Sequence, residues 1–574
     1  MKINDLAVRI GGQAGDGSLA TGELLSKFFR RNGFFVATDK DFPSRIRGGH
    51  TSYAIRGAQK EIFSIGDHID VLLAFDEDSV SLHLDEIEAG GLLIYDNSKK
   101  DMDIERKDIR MYKMPLANIA KVQIGLELIK NTMALGVLAY LFNFNESLMR
   151  ETIRDSYRTK SEKIIEENIK AFEVGLDHAK NFQKMDNYRI EKLDNKGETL
   201  LLMGNEAIGL GAMAAGCKFI AAYPITPASD VLEFLSKYLP ERGGVAIQAE
   251  SEIAAINMAI GAGYAGMRSM AVTSGPGFDL KTEALGLASM IEQPVVVLDA
   301  MRAGPSTGMA TKTEQSDLFQ AIYGGHGEKP RIVIAPGNVE EAFYFTFYAF
   351  NLAEKYQVPV IILSDELISW NKQVVKKFNL DGLKIERGKT LLNIESGDRE
   401  FKRYEFTEDG ISFRPIPGVK NGIHLETADE HDEYGHIMER IPIRNKMMEK
   451  RMKRMEIMKK DLFPAIVEGS GNIAIVGMGS THGPILEAIE QLMKKNVKIK
   501  YIRIRTLSPF LDDLKEHLKD VDMAFFVEQN YTGQLENLVR LNTGFKNTYS
   551  IRKYDGRSFK PGMISSRILE VLGI

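Results

Sequence analysis

Ala221-Ala222-Tyr223-Pro224-Ile225-Thr226-Pro227, read with Gln248-Ala249-Glu250-Ser251-Glu252 and the Ala/Gly-rich run to Gly266, decides the fold of this chain. The small apolar run Phe219–Ala222 reads as the end of a buried strand. Pro224 and Pro227 then fix φ and remove two backbone donors, so the chain leaves the sheet stiffly and holds Thr226 at the strand's carboxyl edge. In open α/β sheets that edge is where ligands bind. Ile253 to Gly266 has a helical pattern with enough alanine and glycine for a backbone or flat ligand to come close. Glu250 and Glu252 stand at its mouth, where a carboxylate suits the helix dipole. A merely well-capped helix accounts for one of these acids, not for the proline-fixed exit.

Two further strands end at the same kind of edge. Ser269-Met270-Ala271-Val272 breaks at Thr273-Ser274-Gly275-Pro276-Gly277, and Pro294 to Ala300 ends at Met301-Arg302-Ala303-Gly304-Pro305. Three strand ends thus bring Thr226, Ser274 and Arg302 to one rim. A lone arginine after a strand is usually a surface ion pair; here glycine-flanked convergence favours a carboxylate ligand.

Tyr-Pro-Ile-Thr-Pro, then Ala-Glu-Ser-Glu-Ile-Ala-Ala-Ile-Asn, then Thr-Ser-Gly-Pro-Gly occur in an order that resembles the α subunit of the thiamine-diphosphate-dependent 2-oxoacid:ferredoxin oxidoreductases, over nearly the whole chain. The resemblance implies that Glu252 is the carboxylate on N1′ of the cofactor's aminopyrimidine, which lets the 4′-imino form take the C2 proton, with Glu250 as the alternative. It implies that Thr226 meets cofactor and substrate, that Arg302 pairs with the 2-oxoacid carboxylate, and that Tyr223, Pro224, Ile225, Ser274 and Gly275 line the cofactor. The stretch from Thr311 to Glu328 resembles the branch acting on 2-oxoglutarate or a broad range of 2-oxoacids, pyruvate included. His326 either meets substrate or is a structural turn residue.

Composition limits what this chain does alone. Its 574 residues call for several domains, and 44% apolar with 27% charged content is that of an ordinary globular protein. A net charge of −5 gives no sign of nucleic-acid binding. The single cysteine, Cys217, excludes an iron–sulfur cluster, a cysteine-based zinc site or a disulfide within the chain, and reads as a small buried apolar residue. No apolar run approaches the roughly 18 residues of a membrane span, and the N-terminus lacks a signal sequence, so a cytoplasmic protein is expected. The thiamine enzymes' Gly-Asp-Gly with a following asparagine is missing from the Tyr-Pro-Ile-Thr-Pro domain. The resemblance therefore implies a β subunit that holds diphosphate, magnesium and a [4Fe-4S] cluster, in a heterodimer or heterotetramer that uses coenzyme A and passes electrons to ferredoxin. No metal site is expected in this chain.

The remaining sequence divides accordingly. Residues 1–185 read as an α/β domain that resembles the family's γ domain, fused ahead of the α portion. Its loop Gly11-Gly12-Gln13-Ala14-Gly15-Asp16-Gly17 either cradles a phosphate or makes a tight turn. Asp39 and Asp41 lie about 20 residues on, where a dinucleotide fold places its ribose acid, and a nucleotide-binding, non-catalytic protein is the alternative function. Arg45 and Arg47, between Pro43 and Gly48-Gly49, suit an anionic ligand, which the resemblance makes coenzyme A or substrate. Residues 186–198 read as a linker, 199–370 as the pyrimidine-binding domain, 371–465 as an irregular excursion with a helical connector, and 466–574 as a domain resembling the transketolase C-terminal domain, with no catalytic residue expected. The fold class is α/β, multi-domain, with doubly wound parallel sheets.

Overall fold

Hydrophobic runs alternating with amphipathic helices build two compact α/β units in the computed structural model, which describes residues 2–44, 48–193, 197–395 and 400–574. The first unit takes Met1–Leu202, Asn371–Phe378 and Lys560–Met563. Its eight-stranded sheet runs in the order Arg110–Met114, Ile87–Asp96, Ile69–Ala74, Asp5–Gln13, His50–Ala58, Phe35–Asp41, Lys372–Lys376, Thr199–Met203. The first four strands are parallel, as alternation predicts. His50–Ala58 is antiparallel to both of its neighbours, Asp5–Gln13 and Phe35–Asp41. This hairpin contradicts the dinucleotide reading, in which the strand carrying the ribose acid lies parallel beside the first strand; Asp39 and Asp41 sit instead on a strand one place removed. Helix Lys130–Leu141 is buried on nearly every side and crosses helix Glu162–Ala179 at two glycines. A Cβ at Gly136 would lie 2.1 Å from the Phe172 carbonyl, and one at Gly175 would lie 2.0 Å from that of Met133.

The second unit comprises Met203–Trp370, Asn379–Phe559 and Ile564–Ile574. Its larger sheet has the order Val245–Gln248, Phe219–Ala222, Ser269–Thr273, Val295–Met301, Pro359–Asp365, Ile332–Ile334, Thr506–Ser508, and is parallel up to the last, antiparallel strand. Val295–Met301 and Pro359–Asp365 are buried along their whole length, as strands covered on both faces must be. The strand Thr506–Ser508 comes from the C-terminal segment. That segment also forms a five-stranded sheet, Ile466–Gly469, Lys500–Arg503, Ile473–Gly477, Met523–Glu528, Thr548–Arg552. The two sheets share one hydrophobic core, in which Ile256, Phe278 and Val297 belong to the same cluster as Val476, Ile502 and Phe526.

The irregular stretch after Asn379 is held by buried charge rather than by a core of its own. Glu292, fully buried, is paired with Lys450 Nζ at 2.6 Å, Arg454 at 3.4 Å and Arg403 at 3.7 Å. Glu354 likewise meets Arg387 at 2.6 Å, Arg268 at 3.3 Å and Arg414 at 3.6 Å. Three cations hold the Glu292 carboxyl down at about 2 against the cost of burial. Lys450, buried with other cations around one anion, is pulled down to about 8.

Candidate functional site

The three strand ends meet where their sequence spacing puts them. Phe219–Ala222, Ser269–Thr273 and Val295–Met301 are consecutive in the sheet, so the turns after them adjoin. The buried guanidinium of Arg302 donates to the Thr226 carbonyl at 2.8 Å and to the Thr307 carbonyl at 3.3 Å. Its Nε has no hydrogen-bond partner among the described residues. Asn205, fully buried, donates to the Pro227 carbonyl at 2.7 Å and braces the turn from below. Tyr223 is 43% exposed and Pro224 is exposed too, whereas Ile225 and Thr226 are half-buried.

Glu252 is the first residue of helix Glu252–Tyr264, behind Ser251, whose Oγ accepts from the Ala254 N–H at 3.1 Å. Only 7% of Glu252 is exposed, and Glu250 is exposed to solvent. The Glu252 carboxylate lies against Gly277: a Cβ there would fall 2.7 Å from its Oε1 and 2.2 Å from Thr273 Oγ1. The glycine of Ser274-Gly275-Pro276-Gly277 is thus needed for close approach to the helix mouth. Ser274 is fully buried, and its Oγ has no hydrogen-bond partner among the described residues. On the open side of the helix, Ile253, Asn257 and Gly261 form an exposed row, and nothing lies within 4 Å of a Cβ at Gly261.

Behind these residues stand groups that sequence reading missed. Asp299 and Lys281 are fully buried, and among the described residues neither the Asp299 oxygens nor Lys281 Nζ has a hydrogen-bond partner. Burial and the neighbouring Asp317 push the Asp299 carboxyl well above the carboxylate range. Burial, with Asp279 and Glu314 nearby and Arg302 opposing, pushes Asp317 up to about 7. Burial pulls the Lys281 ammonium down to about 8 against the pull of Glu252 and Asp299. The signal for Asp299 lay in plain sight, a carboxyl inside a strand otherwise apolar and covered on both faces; Lys281 gave none.

Other predicted groups stand apart. Arg45 and Arg47 lie outside the described residues. His326 is in an exposed turn, where its carbonyl accepts from Lys329 Nζ at 2.9 Å, beside a cavity of about 270 Å³. Burial pushes the Cys217 thiol up to about 12, so it holds its proton. In the first unit Asp16 faces Lys130 at 3.8 Å, and a Cβ at Gly17 would run into Asn131 Nδ2 at 1.8 Å. The packing of helix Lys130–Leu141 therefore accounts for Gly17 without a phosphate. Among the described residues no group of three or more His, Cys, Asp or Glu is arranged to hold a metal ion, and no helix is long and apolar enough to cross a membrane.

A carboxylate at a helix mouth, an arginine and a rigid threonine turn, all at the carboxyl edge of a parallel sheet, are of the kind a thiamine-diphosphate-binding domain presents. Residues 210–450 match the family described as "Pyruvate flavodoxin/ferredoxin oxidoreductase, thiamine diP-bdg". Residues 7–178 match "Pyruvate ferredoxin/flavodoxin oxidoreductase", and 471–564 match "Pyruvate:ferredoxin oxidoreductase core domain II". The 2-oxoacid:ferredoxin oxidoreductase subunit alpha of Saccharolobus solfataricus is 34% identical, over 96% of this chain and 95% of its own. The 2-oxoglutarate oxidoreductase subunit KorA of Mycobacterium tuberculosis is 29% identical, over 97% of this chain and 90% of its own. A solved structure of the 2-oxoglutarate:ferredoxin oxidoreductase from Magnetococcus marinus, with 2-oxoglutarate, coenzyme A and succinyl-CoA bound, superposes with a TM-score of 0.94 at 35% identity, covering 99% of both chains. The chain belongs to the 2-oxoacid:ferredoxin oxidoreductase α-subunit family, a family of enzymes. The alternative of a non-catalytic nucleotide-binding protein gives way to that membership.

The site's own residues fit thiamine diphosphate. Glu252 offers a nearly buried carboxylate at a helix mouth, and Gly277, where a Cβ would fall 2.7 Å from its Oε1, keeps side-chain bulk off it.

Proposed function

We propose that this chain, with a β subunit, catalyses coenzyme A-dependent oxidative decarboxylation of a 2-oxoacid, 2-oxoglutarate foremost, to acyl-CoA and CO2, with electrons passing to ferredoxin in the cytoplasm. The observation that carries the reading is Glu252: a carboxylate almost wholly buried at the mouth of its helix and backed by Gly277 at a sheet's carboxyl edge. Thiamine diphosphate, when bound, supplies the electron sink for cleavage of the carbon–carbon bond. Glu252 holds a proton at the N1′ position of its aminopyrimidine, and Glu250, in solvent, does not. Thr226, Tyr223, Pro224, Ile225, Ser274 and Gly275 wall the pyrimidine. Arg302 braces the Thr226 carbonyl and has guanidinium donors to spare for the substrate carboxylate.

The diphosphate, its magnesium and the [4Fe-4S] cluster belong to the β subunit, in an αβ or (αβ)2 assembly. One cysteine in the chain and no metal-binding cluster among its described residues support that division. Arg45 and Arg47 are proposed to approach coenzyme A or substrate. Preference for 2-oxoglutarate is supported by relatives named for it. The test is coexpression with the β subunit and dye reduction over a panel of 2-oxoacids, with and without coenzyme A. Reduction that depends on both and is fastest with 2-oxoglutarate supports the reading; a pair that assembles and reduces nothing with any 2-oxoacid refutes it.

A further inference from the structure

Helix Thr282–Met290 carries a glycine that packing does not explain. A Cβ at Gly286 would meet nothing nearer than Lys329 Cδ at 3.8 Å, an ordinary contact. Glycine inside a helix costs stability against alanine, so the open space before it calls for another reason. Gly286 borders the cavity of about 270 Å³ beside His326, which residues 326–330 and, from helix Ile441–Met458, Arg444, Met448 and Arg451 also line. An apolar cavity of about 150 Å³ takes up benzene, so this one has room for a ring together with a charged group.

The lining sorts by depth. Leu287, Met290, Met448 and Pro330 give it apolar surface, and thioethers pack well against aromatic rings. Its carboxylates, Glu283 and Glu328, are exposed, whereas Arg451 is only 3% exposed. Arg451 and Arg444 share one carboxylate, that of Glu430, and Arg451 Nε has no hydrogen-bond partner among the described residues. The half-buried Lys329 ammonium donates to the His326 carbonyl at 2.9 Å, which uses one of its three protons. Gly325 makes room for it, since a Cβ there would fall 2.8 Å from Nζ. Among the described residues no carboxylate pairs with Lys329; burial and the neighbouring Arg331 pull its ammonium down to about 8 with no acid opposing them. Arg331 gives its own donors to the Ala321 and Gly324 carbonyls, at 3.0 and 2.6 Å. Three lining cations thus stand against one paired carboxylate, while the two lining acids stay in solvent at the mouth.

We propose that this cavity binds a small organic anion: a flat, apolar body bearing one carboxylate or phosphate group, its charge taken by Lys329 and Arg451 and its body by Leu287, Met290 and Met448. Both cations have donors left for an oxyanion, and an oxyanion held away from bulk water gains a charge-assisted hydrogen bond from each. Gly286 leaves the room that the ring needs, which gives the helix glycine its reason. Glu283 and Glu328, exposed at the mouth, repel a ligand charged at both ends, so the outer end of the ligand is neutral.

The test is isothermal titration calorimetry on the enzyme assembled with its β subunit, with benzoate, phenyl phosphate, benzyl alcohol and inorganic phosphate as probes. At least one of the two aryl anions is expected to bind once per α chain with a Kd of about 1 mM or tighter, the scale that a ligand of so few atoms reaches. The tighter of the two identifies the oxyanion. Benzyl alcohol lacks the charge and inorganic phosphate lacks the ring, so each should bind at least about tenfold more weakly. Gly286→Leu fills the cavity with a side chain that the helix favours, and Lys329→Met removes one cation. Each should weaken the aryl anion by at least about tenfold and leave the melting temperature within a few degrees of wild type. Failure of both aryl anions to bind overturns the proposal, as does equally tight binding of benzyl alcohol. An aryl anion that binds Gly286→Leu as it binds the wild type lies elsewhere, and that also overturns it. Should Gly286→Leu not assemble, Gly286→Ala, whose one methyl enters the same space, is titrated with the same two outcomes.

Discussion

Two carboxylates stand two positions apart at the mouth of one helix, and burial separates their roles. Glu252 is enclosed behind Ser251, whereas Glu250 lies in solvent at the end of an edge strand. Glu252→Gln is expected to lower kcat by about 10²- to 10⁴-fold, the range for loss of a general acid–base group, with the complex still assembled. Glu250→Gln should stay within about threefold, as a solvent-screened charge away from the reacting atoms warrants. Stopped-flow dye reduction decides between them, and reversed effects would exchange the two assignments. Arg302→Lys keeps the charge and loses the fork that spans the Thr226 and Thr307 carbonyls. A charge-assisted hydrogen bond is worth about 1.5–3 kcal/mol, so KM for the 2-oxoacid should rise by about 10- to 100-fold. At this scale the placement of Glu252 at a helix mouth and of Thr226 and Arg302 beyond strand ends was legible, because local sequence fixes where a strand ends and which residues occupy the turn beyond it. Lys281, Asp299 and Asp317 were not, because one lies inside a strand and the other two just before separate helices, and only the fold buries them.

A loop between Arg302 and Leu318 carries much of the rim, and the C-terminal segment holds it. Gln315, fully buried, donates to Asp365 Oδ2 at 3.0 Å and to the Met478 carbonyl at 3.2 Å. A side chain at Gly479 would strike it, since a Cβ there comes within 2.7 Å of Gln315 Nε2, and Gly479 has φ of 56°. Asn530 Nδ2 donates to the Gln315 carbonyl at 3.1 Å. Gln534 donates to the Ser316 carbonyl at 2.7 Å and accepts from the Phe319 N–H at 2.9 Å, clasping both sides of Asp317. Gln534→Ala should therefore raise KM for the 2-oxoacid severalfold and change kcat less, with the melting temperature lowered by only a few degrees. An unchanged KM would show that the clasp serves stability alone. Nothing in the spacing of Gln529, Asn530 or Gln534 points to residues more than two hundred positions upstream. Expecting no catalytic residue in this segment is compatible with the clasp, which positions a loop and touches no proposed reacting atom.

The buried clamp on Glu292 gives the same element-level lesson for stability. Its carboxyl titrates near 4.5 in the unfolded chain and about 2 in the fold, so the unfolded chain binds more protons between those values. The stability it contributes is fully present above about pH 4.5 and is lost as pH falls toward 2. Glu292→Gln leaves Lys450, Arg403 and Arg454 facing no anion at that point, and breaking such a buried network costs about 3–5 kcal/mol. Urea denaturation at pH 7 should show that loss, and between pH 5 and pH 3 the variant should lose stability less steeply than the wild-type protein. Equal slopes would mean that Glu292 is not held ionised by its three partners. The clamp was invisible in sequence because the stretch 371–465 reads only as charged and irregular, and irregular backbone discloses nothing about which of its cations are buried.

At the scale of the whole molecule, the rim keeps apolar surface in water. Ile253 is 54% exposed on the first turn of the Glu252 helix and Leu280 is 50% exposed at the end of the short helix that the Ser274 turn opens. Met309, in the loop after Arg302, is 45% exposed, and Tyr223 on the proline turn is 43% exposed. Scattered exposed apolar side chains are ordinary; four of them on the elements that build one rim mark a surface made to be covered. The sequence foretold a partner from what the chain lacks, a diphosphate motif and cysteines, but could not say which face meets it, since exposure is a property of the fold. If this rim is the seat of the β subunit, a charge introduced there should cost assembly and spare folding. Leu280→Asp combined with Met309→Asp touches no proposed catalytic atom. It should abolish copurification with a tagged β subunit, or weaken it by at least about 100-fold, the effect of losing about 2.7 kcal/mol at an interface centre. The α chain's own thermal unfolding should stay within a few degrees of wild type. Normal copurification of the double variant would place the partner on another face and leave the exposed rim without its explanation.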